Sequence, residues 1–402
     1  MLHQAKTKEQ LLRWLDRALA AVDARARAAA ALRRLEGECA VLALGKAAGS
    51  MAAGAEVALG DRIRSALAVS PYRCDSPGAR WRLIEGAHPL PDERSLHAGE
   101  AVRDWLQALP AGLPLIVLLS GGASASLELP VDGMTLEKLR ELNRWLLGSG
   151  LDIAAMNAVR ARFSQLKRGG LARLAGRRRI HVLATSDVPG DRVEDIGSGP
   201  CWPEAPRWPQ GLPAWLNDWH ETLPLPEAMT PPAEISHAII ARNSDALEAV
   251  VDAVEEDGVA LAGCARLEGD AVAAAKRIVA DIDAGPAGVH LWGGETTVTL
   301  PENPGRGGRC QHLALAAAIA LEGREDVALL AFGTDGIDGS TEDAGAVIDG
   351  RTLDAIRDEG LDALHCLERA DSNTALQAAG ALVHTGATGT NVMDVVIGWK
   401  FH

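Results

Sequence analysis

Five short apolar runs, each closing in a loop that contains glycine, constrain this chain more than any other feature. The runs are 39–44, 115–119, 180–184, 289–292 and 327–332, and their loops open at Gly45, Ser120, Thr185, Gly293 and Gly333. Apolar runs of this length bounded by turn residues read as buried strands. In open α/β sheets, ligands bind beyond the carboxyl ends of strands. Glycine lets a backbone approach a phosphate closely, and a helix N-terminus offers unpaired N–H groups to an anion. No one loop is specific. Together they suggest a cleft built for phosphates, with one or more metal ions.

Each loop carries its own chemistry and its own bland alternative. After 39–44 comes Gly45-Lys46-Ala47-Ala48-Gly49-Ser50 and a helix-favouring stretch, so Lys46 sits at a strand-to-helix turn. It is not a Walker A loop, because Ala40 and Ala47 stand where that motif needs Gly and Ser/Thr. An exposed lysine at a turn is the alternative. Ser120, Gly121, Gly122, Ser124 and Ser126 form a strand-end run whose backbone N–H groups and hydroxyl donors suit a phosphate cradle; a flexible turn is the alternative. Asp187 and Asp191 flank Gly190 and could hold Mg²⁺, or simply form Asx-turns. Gly293, Gly294 and Glu295 read as a loop after the strand 289–292. A second glycine cluster follows around Arg306 and Arg309, where a helix begins. Two cations at a helix N-terminus oppose its dipole, and a bound anion would offset the conflict. Asp335 and Asp338 lie in a loop that lacks the third-position ligand of an EF-hand. His88, next to Pro89, reads as a local hydrogen-bond partner.

Length and composition narrow the class. A chain of 402 residues predicts two or three domains. Its net charge is -14 with arginines scattered among acids, which argues against a nucleic-acid surface. A locally positive pocket for an anionic small molecule remains compatible with that balance. The six cysteines, at 39, 74, 201, 264, 310 and 366, form no CxxC pair, so a reducing compartment is expected. Neither a signal-peptide pattern nor a membrane-spanning run is seen, and a cytoplasmic protein with no membrane partner is expected.

Thr7-Lys8-Glu9-Gln10 has capping-box spacing and predicts a helix start there, with Leu11, Leu15, Ala18 and Val22 on one face. The segment from Asn157 and Arg160 to Arg179 is the most basic part of the chain. Between 198 and 232 the composition shifts, with nine of the twenty prolines and four of the ten tryptophans, and this reads as a linker or a wrap between domains. The expected domains are therefore 1–232 and 233–402. Covalent catalysis is poorly supported without a Gly-x-Ser-x-Gly elbow. A dinucleotide oxidoreductase is weak, since no Gly-x-Gly-x-x-Gly follows any strand.

The runs GKAAGSM (45–51), EGAHPLPDERS (85–95), LLSGGASA (118–125), SDVPGD and SGP (186–191, 198–200), GGETTVT (293–299), GRGGR (305–309), GTDGIDG (333–339) and TGATGTNVMD (385–394) resemble the class II glycerate kinases. These carry an N-terminal domain of the DUF4147 type and a C-terminal MOFRL domain. The resemblance runs from about residue 10 to the C-terminus. It implies a two-domain α/β enzyme with a Rossmann-like N-terminal domain and an active site between the domains. The implied reaction is ATP and D-glycerate giving 2-phosphoglycerate and ADP, with Mg²⁺ as cofactor. The family's catalytic lysine and arginine fall on Lys46 and Arg309, which are expected to face one cleft.

Gly45, Ser120, Gly121, Gly122, Ser124, Arg160, Gly293, Gly294, Arg306 and Asp338 are the implied substrate or nucleotide residues. Asp187, Asp191, Glu295 and Asp335 are the implied metal ligands. The partners expected are a small hydroxy acid and ATP, and a homodimer is a possible assembly. The chain departs from the family pattern at Cys310 and His312 (usually Asn and Glu), at Ala161-Arg162 (Lys-His) and at Asn373 (Tyr). Those departures bear on which acid is used. A nicotinamide-dependent hydroxypyruvate reductase and a non-catalytic metabolite-binding relative are the alternatives.

Overall fold

The computed structural model describes residues 2–202, 207–226 and 234–401. It divides into two compact units, one of 24–241 and one of 1–23 with 242–402.

The 24–241 unit is a doubly wound α/β fold. Its strands are β1 (Cys39–Leu44), β2 (Ile63–Ser70), β3 (Trp81–Glu85), β4 (Leu115–Leu119), β5 (Arg179–Thr185) and β6 (Glu234–Ala241). They form a six-stranded sheet in the order β3-β2-β1-β4-β5-β6, and every pairing is parallel. Both faces are covered, which is why 39–44 and 115–119 read as continuous apolar runs rather than alternating ones. Alternate residues go to opposite cores. Ala40, Leu42 and Leu44 pack toward the helix Glu93–Ala108, while Cys39, Val41 and Ala43 pack toward the helices Ala24–Leu32 and Ala48–Leu59. The strand order reverses between β1 and β4. A doubly wound sheet opens a crevice at that switch point, outside the carboxyl ends of the two strands.

The other unit holds β7 (Leu261–Asp270), β8 (Gly288–Thr297), β9 (Val327–Gly333), β10 (Gly345–Asp349), β11 (Leu382–Val383) and β12 (Asp394–Lys400). Their order is β11-β10-β9-β12-β8-β7; β7 pairs parallel with β8 and the remaining pairings are antiparallel. The helices Ala271–Ala284 and Arg309–Ala320 share a core with Trp292, Leu329, Ala331 and Val396.

Several expectations change. The first helix begins at Leu2 rather than Thr7, because residues 2–6 contain no breaker and extend the same turn. Its apolar face is as expected, with Leu11, Leu15, Ala18 and Val22 buried. That helix belongs with the C-terminal unit. Trp14 Nε1 donates to Asp257 at 2.8 Å, Arg17 pairs with Glu256, and Thr390 Oγ1 donates to the Val22 carbonyl at 2.7 Å. β6 in turn completes the first sheet, so residues 234–241 lie before the division and not after it. The described part of the proline-rich stretch folds within the 24–241 unit. The helix Ala214–Thr222 forms inside it, and Trp208 and Trp219 meet Phe163 edge-on at 6.0 and 6.4 Å. Residues 203–206 and 227–232 of that stretch lie outside the described residues.

The N-terminal helix is therefore a structural element of the C-terminal unit. Trp14 is 1% exposed. Trp14→Ala is expected to destabilise that unit by about 3–5 kcal/mol, and Trp14→Phe by less. Urea unfolding followed by the fluorescence of the remaining tryptophans measures both.

Candidate functional site

The switch-point loop of the 24–241 unit is built around Gly45. Its φ is +103°, and a Cβ there would lie 2.4 Å from the Ser120 carbonyl oxygen and 2.5 Å from Ser120 Oγ. Only glycine fits such an approach. The approach is then locked by hydrogen bonds. Lys46 N–H donates to the Gly121 carbonyl at 2.8 Å, Ala47 N–H to Ser120 Oγ at 3.0 Å, and Ser120 Oγ to the Leu44 carbonyl at 3.0 Å. The Lys46 stem and the His88 ring lie over Gly122, whose Cβ would sit 3.0 Å from Lys46 Cγ and 3.3 Å from His88 Cδ2. Lys46 thus occupies the crevice between the ends of β1 and β4, immediately before the helix Ala48–Leu59.

The serine hydroxyls of this loop are not the free donors expected from the sequence. Ser120 gives its proton to Leu44, and Ser126 Oγ donates to the Gly122 carbonyl at 2.9 Å. Ser124 Oγ lies 2.8 Å from Ser198 Oγ. Ser198 Oγ donates to Asn157 Oδ1 at 2.9 Å, and Asn157 Nδ2 donates to Asp195 Oδ1 at 3.2 Å. Arg168 also reaches Asp195 Oδ1, at 3.0 Å. Arg160 contacts Asn157 Oδ1 at 3.5 Å and Asn143 Oδ1 at 3.3 Å, and burial lowers its guanidinium pKa. Behind it a buried Lys167–Glu128 pair also binds Ser164. The structure thus links Ser124 and Arg160 through Asn157, which sequence reasoning did not single out as a site residue. Ser198 had a visible signal, as the serine of the SGP run.

Arg162 is spent on the chain itself. It donates to His220 Nδ1 at 2.9 Å and to the carbonyls of Leu223 and Pro224 at 2.7 and 2.8 Å. It staples the segment after the helix Ala214–Thr222. Asp187 and Asp191 lie, half-buried, in the loop after β5.

In the other unit Arg309 is the first residue of the helix Arg309–Ala320. Its guanidinium makes a two-pronged contact with Asp394, at 3.1 and 3.0 Å, and pairs with Glu295. Burial opposes the charge, but Asp394 and Glu295 hold the guanidinium pKa well above its ordinary value. Asp338 caps the helix start, accepting from the N–H groups of Cys310 and Gln311 at 3.2 and 2.8 Å. The orphan N–H groups that a bound anion was expected to meet are therefore capped by the protein's own carboxyl group. Asp335 is buried nearby and accepts from Ile337 N–H at 3.2 Å. Asp394 was missed as a site residue, although it closes the family run at 394.

Gly293 and Gly294 do not form a loop. β8 continues through them to Thr297, pairing with β12 on one side and β7 on the other. Their missing side chains serve packing: a Cβ on Gly293 would meet Asn243 Oδ1 at 1.9 Å, and one on Gly294 the Leu267 carbonyl at 2.1 Å. Arg306 precedes the helix with its side chain exposed, and its N–H donates to Asp371 at 2.9 Å. Cys310 faces the apolar core rather than a ligand. His312 is buried, burial lowers its pKa, and its Nδ1 has no hydrogen-bond partner among the described residues. A cavity of 480 Å³ lined in part by Lys8, Arg324, Arg351 and Phe401 lies at the far end of this sheet, where Val327 pairs with Lys400. Its cations are already engaged, by the Gly380 carbonyl, by Asp326 and Asp283, and by Glu325.

Burial pushes the Asp338 carboxyl up to about 7, with the two N–H groups opposing. A carboxyl with a raised folded pKa holds a proton that the unfolded chain releases, so its ionisation destabilises the fold as pH rises from about 4 to about 7. Asp338→Asn is expected to flatten the fall in stability across that window by at most about 4 kcal/mol. Urea midpoints of both proteins at several pH values read the difference.

Residues 10–229 match a domain of unknown function, DUF4147, and residues 288–394 match the MOFRL family. A D-glycerate 2-kinase of Thermotoga maritima is 36% identical, with 89% of each chain covered. A glycerate 2-kinase of Pyrococcus horikoshii is 34% identical, covering 90% of this chain and 87% of its own. An Agrobacterium vitis protein with a provisional hydroxypyruvate reductase name is 35% identical over 98% of this chain and 94% of its own. The crystal structure of a Thermotoga maritima glycerate kinase superposes with a TM-score of 0.83 at 31% identity, covering 98% of this chain and 100% of that one. With both domain matches in order and these relatives aligned over most of its length, the chain belongs to the glycerate kinase family.

Proposed function

We propose that this kinase transfers the γ-phosphoryl group of ATP to the 2-hydroxyl of D-glycerate, or of a close hydroxy acid, giving 2-phosphoglycerate and ADP. The observation that carries the reading is Lys46 at the switch point, its backbone locked between Gly45 and Gly121. Phosphoryl transfer asks for positioning and cationic neutralisation of the moving group, not for a covalent intermediate. With the loop's serine protons spent internally, that neutralisation falls on Lys46. Arg309 is the second cation proposed for it, already oriented by Asp394 and Glu295.

Mg²⁺ takes hard oxygen ligands and commonly uses one or two carboxylates together with phosphate oxygens. Among the described residues no group of three or more His, Cys, Asp or Glu forms a ready-made cation site. Asp187 and Asp191 are proposed as one carboxylate pair, with Glu295 and Asp335 as the candidates in the other unit. The ion would offset charge on the ATP phosphates. The reductase name of one relative supports a second reading, but β1 runs into Gly45-Lys46-Ala47-Ala48-Gly49-Ser50 rather than a dinucleotide fingerprint.

A coupled ADP-release assay across glycerate, tartronate and related acids is expected to show turnover with Mg²⁺-ATP. NADH oxidation with hydroxypyruvate and no ADP release would favour the reductase instead. Lys46→Ala should lower kcat by about 10²–10³-fold with the melting temperature unchanged. Near wild-type turnover in that variant would displace Lys46 from the mechanism. Arg309→Ala should lower activity too, but it strands the buried Asp394 carboxylate. A stability loss of about 1.5–3 kcal/mol is therefore expected alongside, read by thermal melting.

A further inference from the structure

Ser124 sits half-exposed on the short helix Ala123–Ser126 after β4, with its Oγ 2.8 Å from Ser198 Oγ. Asp195 Oδ1 accepts from Arg168 at 3.0 Å and from the Asn157 amide NH₂ at 3.2 Å, so that NH₂ faces Asp195. Asn157 Oδ1 is thereby turned toward Ser198, and Arg160 reaches that same oxygen at 3.5 Å, in agreement with the assignment. Ser198 must donate to it. A hydroxyl has one proton. The 2.8 Å contact between Ser198 and Ser124 therefore requires Ser124 to be the donor.

The relay is rigidly held. Ser198, Asn157 and Asp195 are all buried. Ser198 has φ +63°, its N–H donates to the Asp195 carbonyl at 3.1 Å, and its carbonyl accepts from Arg168 N–H at 3.0 Å. Its hydroxyl cannot easily turn away. Ser124 is left presenting lone pairs outward. Lone pairs repel a phosphate oxygen and welcome a proton donor.

We propose that Ser124 is a specificity residue that accepts a hydrogen bond from a hydroxyl of the bound ligand, and not a phosphate-binding donor. The inference rests on the reading of the 120–126 loop as part of the kinase site. The hydroxyl belongs either to the acceptor acid or to the nucleotide ribose, and the two sources are separable.

Calorimetry with wild type and Ser124→Ala would use glycerate against lactate, ATP against 2′-deoxy-ATP and 3′-deoxy-ATP, and inorganic tripolyphosphate. Wild type is expected to favour the hydroxylated member of one pair by about three- to tenfold, the size of one hydrogen bond. Ser124→Ala should erase that preference and leave tripolyphosphate binding unchanged. The affected pair names the source. Ser198→Gly, which suits the left-handed backbone and removes the acceptor for the Ser124 proton, leaves that hydroxyl free to donate as well as accept and should reduce the same preference. The double variant should then add nothing beyond Ser124→Ala. Weaker tripolyphosphate binding in Ser124→Ala, or an equal loss for every ligand, would overturn the inference while leaving the kinase reading intact. Failure of wild type to bind any nucleotide or hydroxy acid would overturn both.

Discussion

The contact between Gly45 and Ser120 is the constraint on which the candidate nucleotide crevice depends. Two parallel strands diverge at the switch point, and each must turn its chain away to opposite faces of the sheet. Here the two turns touch, backbone to backbone, at a distance that excludes any side chain at position 45. The hydrogen bonds of Lys46, Ala47 and Ser120 close that junction. The junction fixes the Lys46 backbone at the crevice, and preorganisation of this kind is what the proposed electrostatic role would draw on.

A different logic governs the surroundings of Arg309. Asp335, Asp338, Asp394 and Glu295 are all near the start of one helix, with one guanidinium among them. Charges this close tolerate burial only when each is paired or capped. Asp394 and Glu295 take Arg309, and Asp338 takes the helix N-terminus. The cation is thus oriented by acids that a phosphoryl group would compete with. Orientation and readiness to exchange partners are compatible in a residue that remains 39% exposed on its side chain.

Much of the architecture was legible before any coordinates. The runs 39–44, 115–119 and 327–332 are strands because residues buried on both faces leave an unbroken apolar signature. β7 left no such trace: only Leu267 is buried along its ten residues, and its glycines and charges resemble a loop. The glycine pair at 293–294 was misleading for a related reason. Glycine marks a place where something comes close, and here that is Asn243 and a neighbouring strand rather than a ligand. The helix Leu2–Ala21 and the strand β6 were assigned to the wrong units, since an apolar face announces burial without naming its partner.

The sequence by itself determined the chain's family, its strand-end turns after β1 and β4, and the positions of its two candidate cations. These are local patterns, written in neighbouring residues. Only the tertiary structure decided what each polar group is free to do. Arg309 and Asp394 are 85 positions apart, Cys310 and Asp338 28, and Ser124 and Ser198 74. Hydrogen-bond direction depends on which donor meets which acceptor across such spans. A serine therefore reads the same in sequence whether its proton faces a ligand or the protein, and folding alone makes the distinction.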